Sequence, residues 1–194
     1  MTFDAVILAG GKSTRMGRDK AWLEFDGRTL LARQIQLARG AGASGVFVSG
    51  RAGKDYSGFG CPALVDRLID IGPLAGVERA LSACSAPLLL ALAVDMPRMT
   101  PAPLQKLLSL CAQDRGAVPR VNNEIEPLAA FYPRAALALL TGRLDRRLYS
   151  ARQFAGACIH EKLCVFVDFT PDDAPFFENW NAPDAQSITQ PDAG

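Results

Sequence analysis

Short apolar runs alternate with amphipathic stretches along the chain, and the alternation sets the expected elements. Phe3 to Leu8 is nearly all apolar, which predicts a strand buried on both faces of a parallel sheet. Thr29 to Ala41 predicts a helix: Leu30, Leu31, Ile35, Ala38 and Ala41 form an apolar stripe broken only by Gln34. Gly40 and Gly42 are placed to end it. Val46 to Val48, Ala63 to Val65 and Leu88 to Val94 predict further strands, the last the most buried. The first of these leads into a loop at Ser49-Gly50-Arg51. Leu74 to Ala83 predicts a helix opened by Gly72-Pro73. Ala102 to Gln113 predicts another, with Thr100 as N-cap and Pro101 at the first helical position. Ala117 to Pro119 and Leu128 to Phe131 read as strands, Pro133 to Leu140 and Leu144 to Phe154 as helices, and Leu163 to Phe169 as a strand.

Alternating strand and helix units predict a three-layer α/β fold with a doubly wound, mostly parallel sheet and right-handed crossovers. In such sheets ligands bind beyond the carboxyl ends of the strands. Gly10, Ser49, Asp66 and Asp95 each follow a different predicted strand, so they are expected to converge on one edge. Residues 1–188 read as one domain, with a frayed tail at 189–194.

The segment after the first strand carries the chemistry. Between Gly10 and Lys20 stand Gly10, Gly11 and Gly17 together with Lys12, Arg15, Arg18 and Lys20. Glycine N–H groups can approach phosphate oxygens with no Cβ in the way. Arg15 and Lys20 can neutralise charge on a phosphoryl group in transfer. Gly11-Lys12-Ser13 is like the end of a Walker A loop, but the first glycine of that motif would fall at Val6, inside the strand. The glycine spacing also fails the dinucleotide fingerprint. The remaining reading is a longer polyphosphate-binding loop; an ordinary turn with solvated basic residues is its bland rival. Asp95, at the end of the longest apolar run, would bring a carboxylate to the mouth of the sheet, where Mg²⁺ could be shared with phosphate oxygens. The alternative is a turn aspartate before Pro97.

The run Leu8-Ala9-Gly10-Gly11-x-Ser13-x-Arg15-Met16-Gly17-x-Asp19-Lys20-Ala21 resembles the signature loop of the molybdenum cofactor guanylyltransferases. These belong to the nucleotidyltransferases of Rossmann-like, nucleotide-diphospho-sugar type. Gly72-Pro73-Leu74-Ala75-Gly76, Asp95-Met96-Pro97 and Asn179-Trp180-Asn181-Ala182-Pro183-Asp184 resemble three further motifs of that family, in the same order. The resemblance implies transfer of GMP from GTP to the terminal phosphate of molybdopterin, or of its molybdenum-loaded form, with Mg²⁺ as cofactor. It implies that Leu8, Ala9, Gly10 and Gly11 face the nucleotide, that Arg15 and Lys20 serve the phosphates, and that Asp95 holds the metal. Asp66 would face the guanosine, with Asp70 competing for that role, and Ser49 would stand in the nucleoside pocket. Asn179 and Asn181 would lie near the pterin or the metal; Asn181 could equally cap a helix at Ala182-Pro183. Glu126-Pro127-Leu128 would border the second substrate. Cofactor-delivery proteins are possible partners of such an enzyme.

Composition narrows the alternatives. With 21 basic and 20 acidic residues there is no global field for nucleic acid. No run approaches the ~18 apolar residues of a membrane helix, and the N-terminus enters the first strand directly, so a cytoplasmic protein is expected. The five cysteines form no C-x-x-C pair, and most of them read as small buried hydrophobes. The single histidine, His160, is expected in a loop or on the surface, which leaves no Ser-His or Cys-His mechanism. A phosphate acceptor needs no general base, because its second pKa of about 6 leaves it ionised. Two rival readings stand: another nucleotidyltransferase of the same fold using CTP or UTP, and a non-catalytic GTP-binding homologue.

Overall fold

In the computed structural model, residues 1–10, 20–50, 55–65 and 71–180 are described. Among them ten strands, in chain order, are β1 (Phe3–Leu8), β2 (Glu24–Phe25), β3 (Arg28–Thr29), β4 (Val46–Gly50), β5 (Ala63–Val65), β6 (Leu88–Ala93), β7 (Gly116–Val121), β8 (Glu124–Ile125), β9 (Ala129–Pro133) and β10 (Cys164–Phe169). Six helices are α1 (Leu30–Gly40), α2 (Leu74–Ala83), α3 (Pro101–Ser109), α4 (Ala136–Asp145), α5 (Ala151–His160) and α6 (Ala174–Phe177).

The main sheet runs β10-β7-β9-β6-β1-β4-β5, with β8 turned back on β7. β5, β4, β1 and β6 are parallel neighbours. β9 runs antiparallel to both β6 and β7, and β10 pairs parallel with β7. The expected mostly parallel, doubly wound sheet is therefore present, with one reversed strand inside it.

Alternation along β1 assigns the layers. Phe3, Ala5 and Ile7 pack with Leu30, Leu31 and Ile35 of α1 and with Leu104 and Leu107 of α3. Val6 and Leu8 pack with Leu74, Val77 and Leu81 of α2, Leu140 of α4 and Phe154 of α5. Every residue of β1 is buried, as a strand covered on both faces requires. Asp4 is the polar member of that strand. Its Oδ2 accepts from the backbone N–H groups of Ser85 and Ala86 at 2.9 and 3.1 Å and from the Ser85 hydroxyl at 3.3 Å. A buried carboxylate is tolerated where such donors satisfy it, and here it fixes the chain between α2 and β6.

Several boundaries differ from the sequence expectation. β9 extends to Pro133, opposite Leu88, so the helix expected from Pro133 begins at Ala136. That helix continues to Asp145 and closes in a Schellman arrangement: Arg147 takes φ 59°, while the N–H of Leu148 reaches Arg143 O. The helix expected over Leu144 to Phe154 is thus two pieces, the second starting where the Ser150 hydroxyl accepts from Gln153 N–H. Helix α3 ends at Ser109, short of Gln113, and Thr100 occupies its N-cap position without a side-chain bond. Two hairpins were not anticipated. Asp26-Gly27 (φ 51° and 71°) and Asn122-Asn123 (φ 49° and 64°) have the paired positive φ of tight two-residue turns.

All five cysteines are unpaired thiols. Burial, reinforced by the neighbouring Asp4 carboxylate, pushes the Cys84 thiol up to about 12, and burial alone does the same for Cys111. Such thiols behave as small apolar fillers, as the sequence suggested.

Candidate active site

The site forms where parallel strands end side by side. Leu8 of β1 lies opposite Ser49 of β4 on one side and Ala93 of β6 on the other. Beyond that row, the N–H groups of Ala9 and Gly10 both donate to Ser49 O, at 2.8 and 3.1 Å, and Val94 N–H donates to Leu8 O at 3.3 Å. Gly10 and Asp95 therefore leave the sheet from adjacent strands, on one edge. Ser49, expected to open the loop after this strand, is instead the fourth residue of β4, which continues to Gly50, and it is buried. Gly11, Arg15, Asp66, Asp70 and Asn181 lie outside the described residues.

Lys20 and Asp95 meet across this edge. The Lys20 ammonium donates to Asp95 Oδ2 at 2.8 Å, and each side chain retains about a fifth of its exposure (23% and 21%). Seventy-five residues separate them, so only the tertiary fold makes the pair. Lys20 is held by its neighbours. It opens the 3-10 turn Lys20–Trp22, whose Ala21 is fully buried. Trp22 stacks on Tyr56, with centroids 6.3 Å apart and planes 15° apart, and leans on Phe59 at 5.4 Å. Tyr56 in turn lies so close to Gly50 that a Cβ there would overlap its ring.

Asp95 is fixed through its backbone. Trp180 N–H donates to Asp95 O at 2.7 Å, and Trp180 packs edge-on against Phe25 of the β2–β3 hairpin at 5.6 Å. Asn179, exposed and one residue before Trp180, is thereby brought beside the Asp95 loop. Gln34 Nε2 donates to Met96 O at 2.6 Å, and Arg33 Nη2 to Pro97 O at 2.9 Å. Neither Arg33 nor Gln34 was among the expected site residues. The signal was present in the one polar position of an otherwise apolar helix stripe.

Gly76, on the first turns of α2, lets that helix approach the mouth. A Cβ at this position would overlap Ser49 Oγ, come within 2.8 Å of Ser49 Cβ and lie 2.9 Å from Leu8 Cδ2. Gly76→Ala should therefore displace Ser49 and Leu8 together. The expected loss of stability is about 1–3 kcal/mol, read from urea unfolding.

Farther along the edge, β7, β8 and β10, with the start of α5, carry a second group of charges. Arg120 forks onto the Asp168 carboxylate at 2.6 and 3.0 Å, and Arg152 pairs with Glu124 at 2.5 Å. Burial raises the half-buried Glu126 carboxyl above the ordinary carboxylate range. His160 is the last residue of α5 and is exposed, beside Glu161. It lies toward the edge where β10 begins, opposite the one that carries Asp95. A cleft of about 250 Å³ opens on the flank of α1, lined by Arg28, Arg33, Gln36, Leu37, Pro97 and Met99 among others.

The chain matches the MobA-like NTP transferase domain over residues 5–160. It belongs to that family. A relative from Opitutus terrae, named "Probable molybdenum cofactor guanylyltransferase", is 39% identical over 92% of this chain and 90% of its own length. The molybdenum cofactor guanylyltransferase of Xanthomonas euvesicatoria pv. vesicatoria is 34% identical over 94% of this chain and 91% of its own. Among solved structures, the molybdopterin-guanine dinucleotide biosynthesis protein A of Archaeoglobus fulgidus has the same fold, with a TM-score of 0.69 at 20% identity, covering 95% of this chain and 94% of that one. The 2-C-methyl-D-erythritol 4-phosphate cytidylyltransferase of Thermus thermophilus is equally similar in fold, at TM-score 0.70 and 20% identity over 92% and 93%. The two solved proteins share the fold but are named for different nucleotides, so the fold alone does not choose the nucleotide. Among the described residues no helix is long and apolar enough to cross a membrane.

Proposed function

We propose that this protein transfers GMP from GTP to the terminal phosphate of molybdopterin, or of its molybdenum-loaded form, with release of pyrophosphate. The observation that carries this reading is the Lys20–Asp95 pair at the end of β1 and β6, next to Gly10, in a chain whose relatives are named guanylyltransferases at 34–39% identity.

The donor set suits Mg²⁺. Among the described residues no cluster of three or more metal-ligating side chains exists, so no all-protein cage forms there. A single part-exposed carboxylate at the mouth is what Mg²⁺ uses when phosphate oxygens and water complete its shell. Bound at Asp95, the ion would offset triphosphate charge and hold it for in-line attack.

The protein's own groups then bind and orient. Leu8, Ala9, Gly10 and Gly11 give the nucleotide close access to backbone, Ser49 backs the nucleoside pocket against α2, and Asp66 serves the guanosine. Arg15 and Lys20 line the phosphates, with Lys20 moving from Asp95 onto anionic oxygen as substrate arrives. Asn179, beside the Asp95 loop, and Asn181 serve the pterin acceptor or the metal. An acceptor phosphate oxygen attacks the α-phosphorus; the bond from that phosphorus to the bridging oxygen breaks, and pyrophosphate carries the charge away. The acceptor is already ionised at neutral pH, so no general base is required, and positioning with charge stabilisation supplies the rate. We treat residues 1–188 as one nucleotidyltransferase domain. The unpaired thiols suit a reducing compartment, and we place the reaction in the cytoplasm, where acceptor-delivery proteins would be its partners.

The deciding experiment measures pyrophosphate release with ATP, GTP, CTP and UTP, each with molybdopterin and Mg²⁺. GTP should exceed the others by about 10²-fold or more, since buried hydrogen-bonding groups reject a base that leaves them unpaired. Preference for CTP would move the protein to the cytidylyl branch. Tight GTP binding without pyrophosphate would make it a non-catalytic homologue.

A further inference from the structure

Three consecutive carbonyls of the Asp95 loop are each taken by a donor from elsewhere in the chain. Asp95 O accepts from Trp180 N–H at 2.7 Å, Met96 O from Gln34 Nε2 at 2.6 Å, and Pro97 O from Arg33 Nη2 at 2.9 Å. Met96 O also accepts the Met99 N–H at 3.2 Å. Holding successive carbonyls fixes the peptide planes on either side of Met96, and with them the direction in which Asp95 leaves the backbone.

The helix does not need Gln34 for packing. The residue is 2% exposed within the stripe of Leu30, Leu31, Ile35 and Ala38, where a leucine or methionine would serve. A buried amide there is costly, and its Oε1 has no hydrogen-bond partner among the described residues. Only its Nε2 is used, and it is used on the loop. Arg33, the neighbouring residue of α1, is oriented by the hairpin: its guanidinium stacks over Phe25 at 4.9 Å and approaches Asp26 at 3.8 Å. One helix thus presents two adjacent donors to two adjacent carbonyls, with its register set by the Thr29 cap, whose hydroxyl accepts from Ala32 N–H at 3.2 Å.

We propose that Gln34 and Arg33 are positioning residues that aim the Asp95 carboxylate at its divalent cation; this rests on the reading of Asp95 as the metal ligand. Groups that orient a metal ligand from behind typically change metal affinity by roughly 10–100-fold when removed.

The test uses the full-length protein with Gln34→Met, which keeps volume and helix propensity but loses the donor, and with Arg33→Met, which changes a part-exposed residue. Mn²⁺ affinity is measured by calorimetry in the presence of GTP, and the Mg²⁺ half-saturation of pyrophosphate release is measured alongside. Both variants should bind Mn²⁺ about tenfold more weakly and shift the Mg²⁺ half-saturation to match, with the KM for GTP changed much less. Ile35→Val is the control: it should lower the melting temperature and leave metal affinity unchanged. If Gln34→Met fails to fold, Arg33→Met decides alone. Metal affinity within about twofold of the parent in a folded variant, whatever its melting temperature, overturns the proposal. If Asp95→Asn binds Mn²⁺ as tightly as the parent, the metal assignment fails first, and that result is separate from failure of the clamp.

Discussion

Lys20→Ala should lower kcat for pyrophosphate release by about 10²–10³-fold with the fold intact. That is the range found when one preorganised charge or donor aimed at the transition state is removed. The ammonium stands 2.8 Å from Asp95 on the sheet edge, where the triphosphate would lie. The loss should fall mainly on kcat, because charge on the leaving pyrophosphate grows as the α-phosphorus bond breaks. Stability should hardly change. Both partners of the pair are part-exposed, and such pairs contribute about 1 kcal/mol or less. Lys20→Arg tests geometry as well as charge: it keeps the cation but forks the donors, so only partial recovery is expected. Single-turnover rates, compared with urea unfolding of the same variants, check this. Near-normal turnover in Lys20→Ala would remove the residue from the chemistry.

Asp95→Asn should be more severe, with activity down by at least about 10³-fold. The substitution keeps the shape and the backbone bonds to Trp180, Met99, Gln34 and Arg33, all of which reach main-chain carbonyls of the loop. It removes the negative charge, turns one acceptor oxygen into an amide donor and ends the ion pair with Lys20. Mg²⁺ takes few protein ligands and depends on their charge, so an amide cannot substitute. Raising Mg²⁺ or supplying Mn²⁺ should recover a small part of the activity. GTP binding without metal should tighten slightly, since a carboxylate near the phosphates repels them. Titration of GTP in chelator, beside turnover at saturating Mg²⁺, separates the two effects. Turnover unaffected by the change would end the assignment of the metal to this residue.

Much of the architecture could be read along the chain because burial writes a period into sequence. Phe3 to Leu8 and Leu88 to Ala93 are apolar at every or nearly every position because helices cover both faces, and they proved to be adjacent strands. Helix α1 was marked by its stripe, and its end by Gly40 and Gly42, the latter at φ 98°. The ends of α4 and α5 were harder to read. Arg147 takes the left-handed position that glycine would advertise, so Leu144 to Phe154 looked like one helix. The Asp26-Gly27 hairpin did carry a recognised turn signal, and the short strands beside it hid it.

The sequence alone determined that a glycine-bearing, cationic segment follows a buried strand, that an aspartate ends another, and that helices must cover the sheet between them. These follow from local composition and from the two periods of secondary structure. Only the tertiary structure decided that β9 runs against its neighbours, that Lys20 meets Asp95 from 75 positions away, and that the lone amide in the α1 stripe reaches the loop behind that carboxylate. The physical reason is that hydrogen-bond partners distant in the chain leave no period in either segment. A buried glutamine is legible as an exception, but the carbonyl it serves is not.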